Sequence, residues 1–280
     1  MNHRVPHENL IMAFTGMHRM RNIARSLLGR QGFPTPLGNV TPEPHRSAEN
    51  EERRKIWETV QPYTMVPEPA IDFLIDQVIT LLTSRVSGVL VECGVWRGGS
   101  SMAMLLAQQA AFGRVERPVY MLDSFQGLPP VTAKDGPLAS KWQQGADPEN
   151  FLDNCRAVRE EVDHALARMG FVPGDYTIVE GWFDQTVPRL AEDISPNSIA
   201  LLRLDGDWYD STRCCLDTLM PLVSEGGVVI IDDYYAWDGC ARAVHDYLSS
   251  HDVAYRIRSL PQWYGAYFIK KAARDRFDVL

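Results

Sequence analysis

Two apolar stretches of the sequence each end in a pair of aspartates. The stretch IALLRL leads into Asp205 and Asp207, and GGVVII leads into Asp232 and Asp233. Crowded carboxylates raise one another's pKa and cost free energy unless a positive charge offsets them. A hard divalent cation prefers oxygen ligands, so we expect these strand ends to hold a metal ion. The alternative is that one aspartate of each pair caps a helix and the others are solvated.

The metal hypothesis sets a condition on the second pair. Asp232 and Asp233 would point to opposite sides of an extended strand, so both can bind only if the strand has ended. A bound cation orients a substrate with two adjacent oxygens and lowers the pKa of a coordinated hydroxyl. A carboxylate nearby could then remove the proton.

A glycine-rich stretch, ECGVWRGGSS, follows another apolar run and begins at Glu92. Gly94 and Gly98 allow a sharp turn and a close approach of a ligand to the backbone, and Ser100 or Ser101 could cap the next helix. The spacing differs from the G-x-G-x-x-G pattern of dinucleotide sites. The carboxylate of Glu92 would repel a pyrophosphate but attract an ammonium group, which favours S-adenosylmethionine. The alternative is a tight turn without a ligand.

Two further residues follow strand-like runs in the same part of the sequence. Asp123 ends the second run, where an acid typically accepts hydrogen bonds from ribose hydroxyls. Trp182 ends the third run, where an indole could flank an adenine ring. The alternatives are a loop cap for Asp123 and a core position for Trp182.

The elements that would position these residues alternate along the chain. Apolar, β-branched runs occur at 89–95, 119–125, 176–182, 199–205 and 227–233, with helical stretches such as 99–111 and 211–223 between them. This alternation predicts parallel strands with helices on both faces. Two more runs, 253–260 and 265–271, are joined by a short turn, which predicts a terminal antiparallel pair. We therefore predict an α/β fold with a doubly wound, mostly parallel seven-stranded sheet and ligands beyond its carboxyl ends.

Other segments suggest how the chain is organised. Residues 1–60 read as a basic helical arm and a proline-rich linker, although a transit peptide or membrane-surface helix would resemble residues 10–30. Residues 61–280 form the main domain, with a long helix over 70–86. An irregular stretch at about 129–160 predicts a lid. We expect this lid to shape a substrate pocket together with Trp237 and Trp263.

Composition limits the class of protein. The 280 residues are 45% hydrophobic and carry a formal charge of −8, which argues against a general nucleic-acid binder. The five cysteines are odd in number and lack metal-binding spacing, which favours a reduced, cytoplasmic setting. No apolar run is long enough to span a membrane.

The motifs together resemble one known family. ECGVWRGG, DSFQGLP, EGWF, RLDGDWYDST and GGVVIIDDY occur in this order between residues 92 and 234. They resemble the macrocin O-methyltransferase (TylF) family, over about residues 60–270. The resemblance implies a class I methyltransferase fold, S-adenosylmethionine as donor and dependence on Mg²⁺. It also implies methylation of a sugar hydroxyl on a glycosylated natural product, as in antibiotic biosynthesis, and a homodimer or higher oligomer.

The resemblance also implies roles for individual residues. It places Asp205, Asp232 and Asp233 as metal ligands. We assign the base role to Asp207, although Asp205 could serve instead or fill both roles. The expected cofactor contacts are Thr64, Met65, Glu92, Gly94, Gly98, Ser100, Asp123, Ser124, Trp182, Asp184 and Asp205.

Two alternative functions remain open from the sequence. A catechol-type O-methyltransferase would keep the fold and metal but would favour a lysine base, and no lysine follows Asp205 within ten residues. A non-catalytic scaffold protein with this fold would bind no cofactor, which the intact glycines and acids argue against.

Overall fold

The structure of the chain, a computed structural model, describes residues 44–144 and 155–271. Residues 1–43, which hold most of the predicted arm and linker, lie outside these ranges. Residues 145–154, in the middle of the predicted lid, also lie outside them. The described residues from Glu51 onward belong to one compact unit.

One mixed sheet forms the centre of this unit. Its strands are β1 (Val89–Cys93), β2 (Val119–Asp123), β3 (Tyr176–Glu180), β4 (Ile199–Leu204), β5 (Val223–Ile231), β6 (Arg258–Ser259) and β7 (Ala266–Ile269). Their order is β3-β2-β1-β4-β5-β7-β6. The first five are parallel, and β7 runs antiparallel between β5 and β6. The predicted fold class is confirmed.

Helices connect and cover these strands. They are α1 (Pro44–Val60), α2 (Glu68–Thr83), α3 (Gly99–Phe112), α4 (Gly136–Gln144), α5 (Arg159–Arg168), α6 (Phe183–Asp193), α7 (Tyr209–Leu219) and α8 (Asp238–Ser250). Within the described ranges, none of them has the length and apolar character needed to cross a membrane.

Helix α2 shows how its sequence dictates its position. Pro69 lies in the first turn, where no backbone N–H is needed. Ile71, Leu74, Ile75 and Val78 follow helical spacing, and all four are buried. The predicted long helix is therefore confirmed, although it ends at Thr83.

The core has one layer on each face of the sheet. Leu90 of β1 packs in the layer that contains the buried side of α2, α3 and α5. Its neighbour Val91 packs in the other layer, with α6, α7 and α8. This alternation explains why the central strands are apolar on both faces and presents their carboxyl ends at one open edge.

Three elements differ from the prediction in their bounds. Helix α7 ends at Leu219 rather than 223, because Pro221 follows and a short 3₁₀ turn takes over. Strand β5 accordingly begins at Val223, four residues earlier than expected. The predicted strand 253–260 is reduced to Arg258–Ser259.

Candidate active site

The carboxyl ends of β4 and β5 bring the paired aspartates to one edge of the sheet. Leu204 pairs with Ile231 in these parallel neighbours. Asp232 and Asp233 follow directly after β5, in a turn, and the N–H of Asp232 donates to the carbonyl of Leu204 at 2.8 Å.

Three of the four aspartates form an acidic cluster. One carboxylate oxygen each of Asp205, Asp207 and Asp233 lies within 4.8 Å of the other two. Three carboxylate oxygens grouped in this way could hold a hard divalent cation, which prefers oxygen ligands. We call these three residues the acid cluster.

Asp207 enters the acid cluster through an unusual backbone conformation. Its φ is +55°. The two residues that flank it are hydrogen-bonded, since the N–H of Trp208 donates to the carbonyl of Gly206 at 2.6 Å. The N–H of Asp207 donates to Oδ2 of Asp233 at 3.1 Å. The indole Nε1 of Trp237 donates to Oδ1 of Asp207 at 2.9 Å. Aspartate tolerates this left-handed region better than most residues, which fits its place in the turn.

Asp232 is held by two partners outside the acid cluster. Its Oδ1 accepts a 2.6 Å hydrogen bond from Nη2 of Arg203, and its Oδ2 accepts a 2.8 Å bond from Nε1 of Trp263. The acid cluster contains the predicted base Asp207 but not Asp232. The role of Asp232 as a metal ligand stays a prediction.

Arg203 is a functional candidate that the sequence reasoning did not single out. Its guanidinium contacts three carboxylates from three adjacent strand ends: Glu92 at 2.5 Å, Asp205 at 2.9 Å and Asp232 at 2.6 Å. Arg203 is 3% exposed. A lone arginine inside the apolar run IALLRL was the signal, since such a charge is almost never buried without partners.

The environment of Asp207, Asp232 and Asp233 raises the pKa of each carboxyl group. Burial raises the pKa of Asp207 to about 8, and the charge of Asp205 adds to this shift. Burial also raises the pKa of Asp232 to about 6, against the opposing effect of Arg203. The pKa of Asp233 is raised by burial and by the neighbouring acids. A bound cation would reverse these shifts by stabilising the charged forms.

The glycine-rich turn directly adjoins the acid cluster. Gly94 has φ +95°, and a Cβ there would lie 1.7 Å from the carbonyl oxygen of Asp205. Gly98, with φ +91°, begins α3 without a side-chain cap, so the expected capping by Ser100 or Ser101 is wrong. Thr64 packs here too, since a Cβ on Gly99 would lie 2.6 Å from the Cβ of Thr64.

Asp123 holds the glycine-rich turn in place. Its Oδ2 accepts hydrogen bonds from the N–H groups of Val95 at 2.7 Å and Trp96 at 2.8 Å. Its Oδ1 accepts from the N–H of Phe125 at 2.7 Å. A carboxylate has about four acceptor positions, so the expected contact with a ribose remains compatible with these bonds.

Glu92, near the end of β1, is buried and has two side-chain partners. It is 1% exposed, and its Oε1 accepts from Arg203 while its Oε2 accepts from Ser101. Burial raises the pKa of Glu92 to about 7. The expected attraction of an ammonium group by Glu92 stays a prediction. Ser100, also buried, lines a small cavity with Arg203 and Asp232.

The other expected cofactor residues lie near the ends of neighbouring strands or in the segment before α2. The hydroxyl of Ser124, just after β2, accepts from the N–H of Gln126 at 3.1 Å. Trp182 is the N-cap of α6, and Asp184 lies in its first turn. Met65 follows Thr64 just before α2 and is half-buried.

The described part of the predicted lid packs beside the acid cluster. Oδ1 of the buried Asp135 accepts from the N–H of Tyr209 at 2.7 Å. The carbonyl of Pro129 accepts from Nε1 of Trp208 at 2.9 Å. Trp142 of α4 contacts both Trp208 and Trp237 edge to face. We call residues 129–144 the lid segment.

Comparison with known proteins identifies the family. A model of the macrocin-O-methyltransferase (TylF) family matches residues 35–270. The 8-demethyl-8-(2,3-dimethoxy-alpha-L-rhamnosyl)-tetracenomycin-C 4'-O-methyltransferase of Streptomyces olivaceus is 39% identical over 202 residues, 71% of this chain and 72% of that protein. Mycinamicin III 3''-O-methyltransferase of Micromonospora griseorubida is 31% identical over 212 residues, 75% of this chain and 79% of that protein.

A solved structure agrees with this assignment. The O-methyltransferase NovP is 32% identical to the chain, with a TM-score of 0.64 and coverage of 75% of this chain and 83% of that one. A class I methyltransferase fold is the shared architecture. The chain therefore belongs to the macrocin-O-methyltransferase (TylF) family of methyltransferase enzymes.

Proposed function

We propose that this enzyme transfers a methyl group from S-adenosylmethionine to a sugar hydroxyl of a glycosylated natural product. The names of the relatives support the acceptor class, because they describe O-methyltransferases of a rhamnosyl tetracenomycin and of mycinamicin. A demethyldecarbamoylnovobiocin O-methyltransferase from Streptomyces niveus is also similar, at 34% identity. All three names denote methylation of antibiotics or their precursors.

One observation carries the mechanistic part of the proposal. The acid cluster and the glycine-rich turn meet at Gly94 and Asp205, where no room is left for a side chain between them. A donor bound on the turn and an acceptor held at the acid cluster would therefore be adjacent. This proximity is what methyl transfer between two bound molecules requires.

The acid cluster fits Mg²⁺ as the ion that holds the acceptor. Its oxygens lie within 4.8 Å of one another, and hard cations of this kind prefer carboxylate ligands. When bound, the ion would lower the pKa of a coordinated hydroxyl. Asp205, Asp207 and Asp233 would hold it.

The chain's own residues would then complete the reaction. Arg203 stays paired with Asp205 and fixes that carboxylate beside the turn. Asp207, which lacks a cationic side-chain partner among the described contacts, would act both as a ligand of the ion and as the acceptor of the proton that the hydroxyl loses. The hydroxyl oxygen forms a bond to the methyl carbon, and the carbon–sulfur bond breaks with its electrons on sulfur.

The two alternative functions have less support. A catechol-type enzyme would favour a lysine base, but Lys134, which packs near this edge, pairs with the exposed Asp210 at 2.6 Å. A non-catalytic scaffold is less consistent with the family, because the family and the relative that is 39% identical are both named as methyltransferases.

Methyl transfer from labelled donor to a panel of glycosides tests the proposal. We expect EDTA to abolish transfer and Mg²⁺ to restore it. Asp205→Asn should lose turnover while calorimetry shows S-adenosylhomocysteine binding nearly unchanged. Asp217→Asn, at an exposed pair with Arg213, is the matched control and should behave as wild type. Full transfer in excess EDTA would rule out the metal, and donor binding without methylation of any glycoside would rule out the acceptor class.

A further inference from the structure

The side chain of Asp207 has a specific partner that belongs to another element. The indole N–H of Trp237, at the N-terminus of α8, donates to its Oδ1 at 2.9 Å. The backbone N–H of Trp237 donates to the carbonyl of Asp233 at 3.1 Å. Trp237 therefore contacts two members of the acid cluster, through its ring and its backbone.

The ring of Trp237 is itself held by two other tryptophans. The ring centroids of Trp237 and Trp208 are 5.2 Å apart, and those of Trp237 and Trp142 are 5.8 Å apart. Trp142 and Trp208 complete the triangle at 5.9 Å. All three pairs are edge to face, which is a favoured arrangement for aromatic rings. This tryptophan triangle leaves the indole of Trp237 little freedom to rotate away from Asp207.

One member of the tryptophan triangle, Trp142, comes from the lid segment. The lid segment is hydrogen-bonded to the N-terminus of α7. Asp135 is 1% exposed and accepts from the N–H of Tyr209 through Oδ1. Its Oδ2 accepts from the N–H and the hydroxyl of Thr132, at 2.7 and 2.9 Å. Tyr209 is only two residues from Asp207. The lid segment thus touches the chain on which Asp207 sits and also supplies Trp142.

We propose that Trp237 is a positioning residue for Asp207, and that Trp142 of the lid segment keeps Trp237 in the position that makes this hydrogen bond. The inference rests on the proposed function, in which Asp207 accepts the proton of the acceptor hydroxyl. Asp207 needs such a partner because its left-handed backbone does not fix the direction of its carboxylate. A tryptophan N–H can only donate, so it orients one oxygen and leaves the other for the reaction.

Two substitutions test the proposal. Trp237→Phe keeps a ring in the tryptophan triangle but removes the N–H donor. We expect kcat to fall about 10- to 100-fold, the effect of one lost hydrogen bond to a charged group, with KM for the donor unchanged. Trp142→Ala should lower kcat in the wild type but cause no further loss in the Trp237→Phe background, because both changes release the same carboxylate. Trp57→Phe, at a half-buried position of α1 that packs against the core, is the control and should leave kcat unchanged.

The outcomes separate the inference from the proposed function. Wild-type kcat in Trp237→Phe would overturn the role of Trp237, and multiplying losses in the double variant would overturn the role of Trp142. If Trp237→Phe folds poorly by circular dichroism, benzothienylalanine at position 237 replaces it, since this residue has the shape of tryptophan without the N–H. Full activity of Asp207→Asn would instead overturn the proposed base. Loss in Asp207→Asn with no loss in Trp237→Phe would overturn the inference alone.

Discussion

Nη2 of Arg203 donates a 2.6 Å hydrogen bond to Oδ1 of Asp232 and gives this residue an environment unlike that of its neighbour Asp233. Asp232 faces the buried guanidinium of Arg203, whereas Asp233 faces the carboxylates of the two other members of the acid cluster. Because Arg203 also contacts Glu92, this interaction ties the end of β5 to the end of β1 across β4. The sheet edge under the site is therefore held together by charge as well as by its ladder.

Removal of Arg203 should destabilise the fold strongly. Arg203→Gln would leave three largely buried carboxylates without their cation, and we expect the free energy of unfolding to fall by about 3–5 kcal/mol. Urea denaturation would measure this change. The control is Arg213→Gln, whose partner Asp217 is exposed, so its loss should be below about 1 kcal/mol. If both substitutions lowered the free energy of unfolding by the same amount, the buried contacts of Arg203 would not stabilise the fold more than an exposed ion pair does.

The metal-free protein should lose stability as the pH rises from 6 to 8. Burial raises the pKa of Asp207 to about 8, from an ordinary value of 3.8. The folded chain therefore binds more protons than the unfolded chain in this interval, and stability decreases by up to about 1.4 kcal/mol per pH unit for one such group. Urea denaturation in EDTA at several pH values would show the slope. Asp207→Asn should flatten the slope of stability against pH. An unchanged slope in that variant would mean that groups other than Asp207 cause the pH dependence.

Affinity for Mg²⁺ should change with pH in the opposite direction. Below pH 8 the proton on Asp207 must leave before its oxygen can bind a cation, so binding releases a proton. We expect affinity to rise between pH 6 and 8, by at most about tenfold per unit, and then to level off. Calorimetry in buffers with different ionisation enthalpies would count the released protons. Binding without proton release at pH 7 would mean that Asp207 is not a ligand.

The packing between Gly99 and Thr64 should be needed for cofactor binding. Helix propensity alone favours alanine at position 99, but its Cβ would lie 2.6 Å from the Cβ of Thr64 and 2.7 Å from the carbonyl oxygen of Tyr63. We expect Gly99→Ala to cost about 1–3 kcal/mol and to weaken S-adenosylhomocysteine binding in calorimetry.

A second glycine provides the control for this substitution. Gly113 has φ +74°, and a Cβ there would have no neighbour within 4 Å. Gly113→Ala should therefore cost about 1–2 kcal/mol through backbone strain but leave cofactor affinity unchanged. If Gly99→Ala bound the cofactor as tightly as wild type, the contact between Gly99 and Thr64 would not be needed for cofactor binding.

The fold and the site differ in how far the sequence predicts them. The alternation of apolar runs and helices is local, so it predicts the sheet and the place where Asp205 and Asp233 come together. The side-chain partners of Asp232 come from β4 and from the turn before β7, and no local pattern encodes them. The tryptophan triangle has the same origin, since Trp142 and Trp237 are far apart in sequence and meet only through the packing of the lid segment.

The contact between Gly94 and the carbonyl of Asp205 has a consequence for how this enzyme can diverge. In the proposed mechanism the donor binds on the turn after β1 and the acceptor at the end of β4, and these two segments touch, so a change in the shape of one would disturb the other. Consider a chimera that takes the β1–α3 segment from a distant relative but keeps the native end of β4. Its two contacting segments would come from different proteins and would not fit each other. Successful recombinants should therefore exchange both segments together, and new acceptors should arise through changes elsewhere in the pocket.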